Sequence, residues 1–173
     1  MRKSEGFPPV AREDARVLVL GSLPSQRSLA HQEYYAHPQN AFWPIMHEIF
    51  GISGSYAERC AGLTTNNVAL WDVLQASVRR GSLDADIRLE TAAANDFASF
   101  LGRHPDIEQI VFNGRKAEQL FHRLVPADCI RRLKLFGLPS TSPAYAAMPF
   151  TGKLSAWKAG LNLVRSNNER RNT

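Results

Sequence analysis

Apolar residues along this chain alternate between short unbroken runs and longer stripes at helical spacing. Val17-Leu18-Val19-Leu20, closed by Gly21, is too short for a helix and continuous enough for a strand buried on both faces. Val68-Ala69-Leu70-Trp71, ending at Asp72, predicts a second such strand. Ile107 to Phe112 predicts a third, ending at Asn113-Gly114, and Arg131 to Leu138 a fourth, with Leu133, Leu135 and Leu138 apolar. Phe42, Ile45, Met46 and Ile49 recur at i, i+3, i+4 and i+7, a helix that stops at Gly51. Tyr56, Cys60 and Leu63 give a weaker stripe over Ser55 to Leu63. Phe97, Phe100 and Leu101 predict a helix capped by Asn95 and stopped by His104-Pro105. Ala117, Leu120, Phe121 and Leu124 share one face from Arg115 to Val125, and Leu154, Trp157, Leu161 and Val164 mark a closing helix from Lys153 to Arg165.

The remaining stretches carry weaker patterns. Residues 1–14, with Pro8-Pro9, read as an irregular lead-in, Gln75 to Ala94 as a long connection, and 166–173 as a disordered basic tail. Strands alternate with helices, without a repeat or a low-complexity linker. The expectation is one domain over residues 1–173 with its core in 15–165. Its class is α/β, a three-layer αβα sandwich around a mainly parallel four-stranded sheet with helices on both faces.

Composition adds three constraints. At 173 residues and 44% apolar, the chain suffices for one ordinary core. A formal net charge of +5 and a pI near 9.6 favour a polyanionic partner such as nucleic acid. Part of that excess lies at the ends. The interior pairs Arg79-Arg80 and Arg131-Arg132, with Lys134, are open to two readings, a groove or a solvated face. Two distant cysteines, Cys60 and Cys129, supply neither a disulfide framework nor a cysteine metal site. No apolar leader core and no run of eighteen apolar residues occurs, so a soluble, unprocessed, cytoplasmic protein is expected, with no membrane contact. Neither a GxSxG elbow nor a GxxxxGK[ST] loop is present, against serine hydrolysis and nucleotide hydrolysis.

The candidate chemistry gathers at three strand ends. These are Gly21 to Asn40, Asn113-Gly114 and Ser140 to Pro143, which a parallel sheet brings to one edge, where open α/β sheets bind ligands. The first is rich in aromatic and amide side chains, as a pocket for a flat, hydrogen-bonding ligand requires. Gly21-Ser22-Leu23-Pro24-Ser25, the block from Tyr34-Tyr35 to Asn40-Ala41-Phe42-Trp43, Val68 to Asp72, Phe112-Asn113-Gly114 and Leu138 to Ala144 resemble, in order, the motifs of the uracil-DNA glycosylase superfamily. Within it they are most similar to the hypoxanthine-DNA (deoxyinosine) glycosylases, over Val17 to about Leu163.

The resemblance implies a uracil-DNA glycosylase-like fold and a monofunctional glycosylase, without cofactor or metal. Such an enzyme flips a deaminated base out of DNA and hydrolyses its N-glycosidic bond in base excision repair. It further implies a monomer on DNA carrying deaminated bases, nucleoid-associated when acting, with downstream abasic-site repair enzymes as partners. Asn40 matches the catalytic asparagine. Its carbonyl can orient a water and its NH2 can donate to sugar or base, and the alternative role is capping the Phe42 helix. Asn113 occupies the base-reading position, where one amide can satisfy the carbonyl and ring N–H that hypoxanthine shares with uracil. Its alternative is a helix cap. Phe42 is the stacking aromatic or a core residue, and Tyr35, Gly21 and Ser22 are base-binding candidates beside it.

Ser25, with Ser22, contacts phosphates or its own turn. Ser140, Ser142, Pro143 and Ala144 pinch the DNA backbone, with Tyr145, Met148 and Phe150 as an apolar wedge, or they pack as a loop on the closing helix. Trp43 and Trp71 read as core, and His37 as a turn residue or an electrostatic assistant. Leu23 and Ser140 stand where uracil-specific members carry aspartate and histidine, which implies poor uracil removal. Two cysteines exclude the iron–sulfur branches. Two other functions stay open: a uracil or mismatch glycosylase on the same scaffold, and a non-catalytic module for damaged or single-stranded DNA.

Overall fold

The computed structural model describes residues 3–78 and 81–169. Its centre is a sheet of four strands, β2 (Val17–Gly21), β3 (Val68–Asp72), β6 (Gln109–Asn113) and β7 (Lys134–Leu138), in the order β3-β2-β6-β7. All three pairings are parallel. Alternation along β2 explains the layers. Leu18 and Leu20 face a core with Phe100, Phe112 and Phe121, under α4 (Phe97–Arg103) and α5 (Arg115–Leu124). Val17 and Val19 face the opposite core with Phe42, Met46 and Trp157, under α2 (Phe42–Phe50), α3 (Tyr56–Thr65) and α6 (Phe150–Glu169). With both faces covered, unbroken apolar runs are what this sheet requires. Each large side chain so buried contributes about 1.5–3 kcal/mol. Trp43 and Trp71 both lie in these cores.

Two expectations fail in the weakly patterned stretches. The lead-in contains a strand, β1 (Lys3–Glu5), and the long connection contains β4 (Leu74–Val78) and β5 (Ala93–Ala94). Together they form a small antiparallel sheet, β1-β4-β5. Strands of two to five residues with mixed burial carry too few positions to display a period. A further helix, α1 (Gln26–His31), follows the first strand-end loop and is equally short.

Element ends also move. The cap of α4 is Asp96, whose side chain accepts the Ser99 N–H, while Asn95 instead donates from Nδ2 to the Asp72 carbonyl at 2.8 Å. Helix α6 begins at Phe150 and runs to Glu169, past Arg165 and into the stretch expected to be disordered. Residues 170–173, and the Arg79-Arg80 pair, lie outside the described residues. Helix α3 carries a reciprocal capping box between Ser55 and Glu58. Ser55→Ala should therefore cost about 1 kcal/mol in a denaturant melt and leave activity unchanged. Among the described residues, no helix is long and apolar enough to cross a membrane.

Candidate active site

From β2 the chain passes to β3 on one side, and later returns to β6 on the other. A crevice must open where these connections diverge, at the carboxyl ends of β2 and β6. A cleft of about 560 Å³ lies there, with Gly21, Asp72 and Asn113 at the strand ends beneath it. Its walls come from the loops after β2, β4, β6 and β7. Gly21, Ser22, Ser25, Tyr35, His37, Asn40, Asn113, Ser140, Ser142, Pro143, Ala144 and Tyr145 all line it. Segments up to 124 residues apart in the chain thus share one recess.

Phe42 does not line it. That residue is fully buried on the core stripe of α2, among Tyr35, Trp43 and Trp157, with ring centroids 4.3, 5.0 and 6.0 Å away. In its place Tyr35 lines the cleft, as do Tyr34 and, at the rim, Tyr145. The Tyr35 φ of 56° is rare for a bulky residue, and its ring rests on Phe42. The paired tyrosines differ in their bonds. Tyr34 is buried, donates to the Pro8 carbonyl at 3.1 Å and accepts the Trp43 indole N–H on its own carbonyl at 2.9 Å, a structural part. Burial first, and the Asp72 charge second, hold the Tyr35 hydroxyl far above the usual phenol range, so it remains a neutral donor.

Asn40 makes an Asx turn. Its Oδ1 accepts the Phe42 N–H at 2.9 Å, and the formal cap of α2 is Ala41. The bond fixes the amide plane at the cleft wall and leaves an oxygen lone pair for a water. Asn113 does not cap α5, whose N-cap is Gly114 without a side-chain bond. Its Oδ1 accepts the Thr141 N–H and its Nδ2 donates to Thr141 Oγ1, both at 2.9 Å. One N–H and one lone pair of the amide are left over. Thr141 is itself buried, and its carbonyl accepts the Ala41 N–H at 2.9 Å, so one residue joins all three motif loops. Gly114, at φ 94°, lets Ser140 approach; a Cβ there would lie 3.0 Å from the Ser140 Cβ.

The serines are largely occupied by their own loops. Ser25 caps α1, accepting the Ser28 N–H at 3.1 Å. Ser22 donates to the Asp84 carboxylate. Ser140 and Ser142 each accept an N–H two residues ahead, at 3.2 Å. His37 Nδ1 accepts the Gln39 N–H at 3.1 Å, its turn role. Tyr145 is exposed at the rim, with the nearly buried Lys153 ammonium 5.4 Å from its ring centre and bonded to the Ser142 carbonyl at 3.2 Å. Phe150 is exposed too, but on the first turn of α6. Arg131 pairs with Asp128, and Arg132 donates to the carbonyls of Pro105 and Ile107, at the amino end of β6. That basic cluster lies away from the cleft.

Sequence reasoning gave no site role to Asp72, read as the end of a strand and of one motif, or to Thr141, hidden in a run of small hydroxyl residues. It also missed Arg27, Arg115 and Lys116, which line the cleft. Their positions one or two residues past a helix cap are a weak signal in a chain with 21 lysines and arginines.

Residues 8–162 match the family model of the uracil DNA glycosylase superfamily. A protein named hypoxanthine DNA glycosylase from Methanosarcina barkeri is 38% identical over 118 residues, 66% of this chain and 73% of that one. A protein of the same name from Methanosarcina acetivorans is 40% identical over 115 residues, 65% and 72% of the two chains. A solution NMR structure from Methanosarcina acetivorans, described as a candidate uracil DNA glycosylase, superposes with a TM-score of 0.75 at 34% identity, covering 91% of this chain and 96% of that one. With a fold shared over 91% of its length and the family motifs gathered in one cleft, the chain belongs to the uracil DNA glycosylase superfamily.

Proposed function

We propose that this protein is a monofunctional DNA glycosylase that draws a deaminated base, hypoxanthine first, into the cleft and hydrolyses its N-glycosidic bond. The observation that carries the reading is the convergence of Tyr35, Asn40 and Asn113 on one recess of about 560 Å³, within the range of small-ligand sites. The names of the two relatives support the substrate. As the base departs, the sugar takes on oxocarbenium character and the base gathers negative charge. Donors aimed at the base then do more than a strong water-activating base could. Asn113 and the Tyr35 hydroxyl supply those donors, while Asn40 positions the attacking water through its oxygen.

Arg27, Arg115 and Lys116 hold the phosphates around the extruded nucleotide, with the 140–145 loop pressed against the strand and Tyr145 entering the vacated stack. The protein acts as a monomer on nucleoid DNA and passes an abasic site to the next repair enzyme. Three phosphate contacts give a plot of log affinity against log salt with a slope of about −3, and Arg115→Ala makes it shallower by about 1. A slope unchanged by Arg115→Ala places that arginine off the DNA.

The deciding experiment is single-turnover base release from matched oligonucleotides bearing one hypoxanthine, uracil, xanthine or mismatched thymine. Fastest release of hypoxanthine is expected, with uracil slower because Leu23 and Ser140 supply neither an aspartate nor a histidine. Release of uracil alone keeps the reaction and overturns the substrate, and release of none leaves a binding module.

A further inference from the structure

Asp72 ends β3 in register with Gly21 and is 3% exposed, yet it is one of the residues lining the cleft. The backbone around it is latched to the neighbouring strand beyond the sheet proper. Val73 N–H donates to the Gly21 carbonyl at 2.8 Å and Leu74 N–H to the Ser22 carbonyl at 3.1 Å. A Cβ on Gly21 would lie 2.5 Å from Asp72 Oδ1 and 2.9 Å from the Tyr35 hydroxyl. Glycine is thus what allows the two groups to crowd one spot. The Tyr35 hydroxyl is buried and, among the described residues, has no hydrogen-bond partner. It lies over Gly21 at the end of β2, with Asp72 ending β3 on one side and Asn113 ending β6 on the other. A buried donor without an acceptor is costly, and this one belongs to a residue that lines the cleft, with a carboxylate on one side and an amide on the other.

We propose that Asp72 and Tyr35 read the lactam edge of the flipped base. The Asp72 carboxylate accepts the ring N–H and the Tyr35 hydroxyl donates to the adjoining carbonyl. Asn113, already tied to Thr141, turns its remaining N–H to the imidazole nitrogen beyond that carbonyl. The order N–H, carbonyl, ring nitrogen along the purine edge matches the order Asp72, Tyr35, Asn113 in the cleft. This inference rests on the glycosylase reading of the site. Adenine presents an acceptor where the carboxylate needs a donor, and an amino donor where the hydroxyl needs an acceptor. It is refused because buried groups would be left opposed. Uracil satisfies Asp72 and Tyr35 but offers Asn113 nothing.

The test uses the full chain with Asp72→Asn and Tyr35→Phe. Two quantities are measured: single-turnover release of hypoxanthine, and affinity for duplexes carrying non-cleavable 2′-fluoro analogues of deoxyinosine, deoxyuridine and deoxyadenosine. Asp72→Asn, whose amide can turn a donor toward adenine, should narrow the inosine-over-adenosine preference by about tenfold or more. Tyr35→Phe should slow hypoxanthine release by about tenfold while melting no lower than wild type, since it deletes only a hydroxyl that lacks a partner. An unchanged inosine-over-adenosine ratio in Asp72→Asn, or wild-type release by Tyr35→Phe, overturns the inference and leaves the glycosylase standing. Absence of release by wild type overturns the glycosylase, and the analogue affinities still decide whether the lactam edge is read.

Discussion

Asn40→Ala is expected to slow single-turnover base release by about a hundredfold, close to 3 kcal/mol of barrier, with DNA affinity little changed. The substitution removes the amide that the Phe42 N–H holds against the cleft wall. It also deletes a turn at the start of α2, worth about 1 kcal/mol of stability, so activity alone would not separate chemistry from positioning. Asn40→Asp does separate them. Its carboxylate still accepts the Phe42 N–H, so the turn and the melt should stay near wild type, and the NH2 donor is exchanged for a charged oxygen. If Asn40→Asp retains release, the oxygen does the work by orienting water. If it is as slow as Asn40→Ala, the NH2 contacts sugar or base. Turnover unchanged in both would remove Asn40 from the reaction.

The largest stability effect should come from Asn113→Ala. It strips the acceptor from the Thr141 N–H and the donor from Thr141 Oγ1, at a residue that is 1% exposed. Leaving buried groups unsatisfied costs about 2–4 kcal/mol in sum, or roughly 5–15 °C in melting temperature for a chain of this size. Base release should fall as well, because Ala41, beside Asn40, hangs on the Thr141 carbonyl. Asn113→Asp offers the control. It can accept the Thr141 N–H and, with the hydroxyl turned round, the Thr141 O–H, so it should melt above Asn113→Ala while excising hypoxanthine less well. A melt of Asn113→Ala equal to wild type would mean the loops hold without this anchor. Unaltered base preference in Asn113→Asp would leave Asn113 an anchor and nothing more.

What could be read in advance followed the size of the physical signal. Val17 to Leu20 and Val68 to Trp71 announce a sheet covered on both faces because every position in them is buried. Phe42, Ile45 and Met46 announce a helix because one stripe faces the core. That same stripe misled the reading of the site. A side chain on the core face of α2 cannot also line a cleft, and Tyr35, whose ring rests on Phe42 and which does line it, owes its direction to a positive φ that no periodicity encodes. Asp72 looked like punctuation after a strand. Only the register with Gly21 reveals that it lies over a glycine at the centre of the sheet. Thr141 was equally silent, since its three bonds reach residues 28 and 100 positions back in the chain. The Asn95–Asp96 cap was misplaced by one residue, because both side chains can cap and only the Asp72 carbonyl tells them apart.

The knot at Thr141 bears on how a lesion is found. Three loops joined through one buried residue have little freedom to open around an intact nucleotide and close on a damaged one. The recess is a fixed mould, and the work of distortion falls on the duplex. Weakly paired or mispaired nucleotides leave the stack most readily, so discrimination begins before any atom of the base is touched. A rigid enzyme of this kind acts as a kinetic sieve: helix breathing delivers candidates, and the mould keeps those it fits.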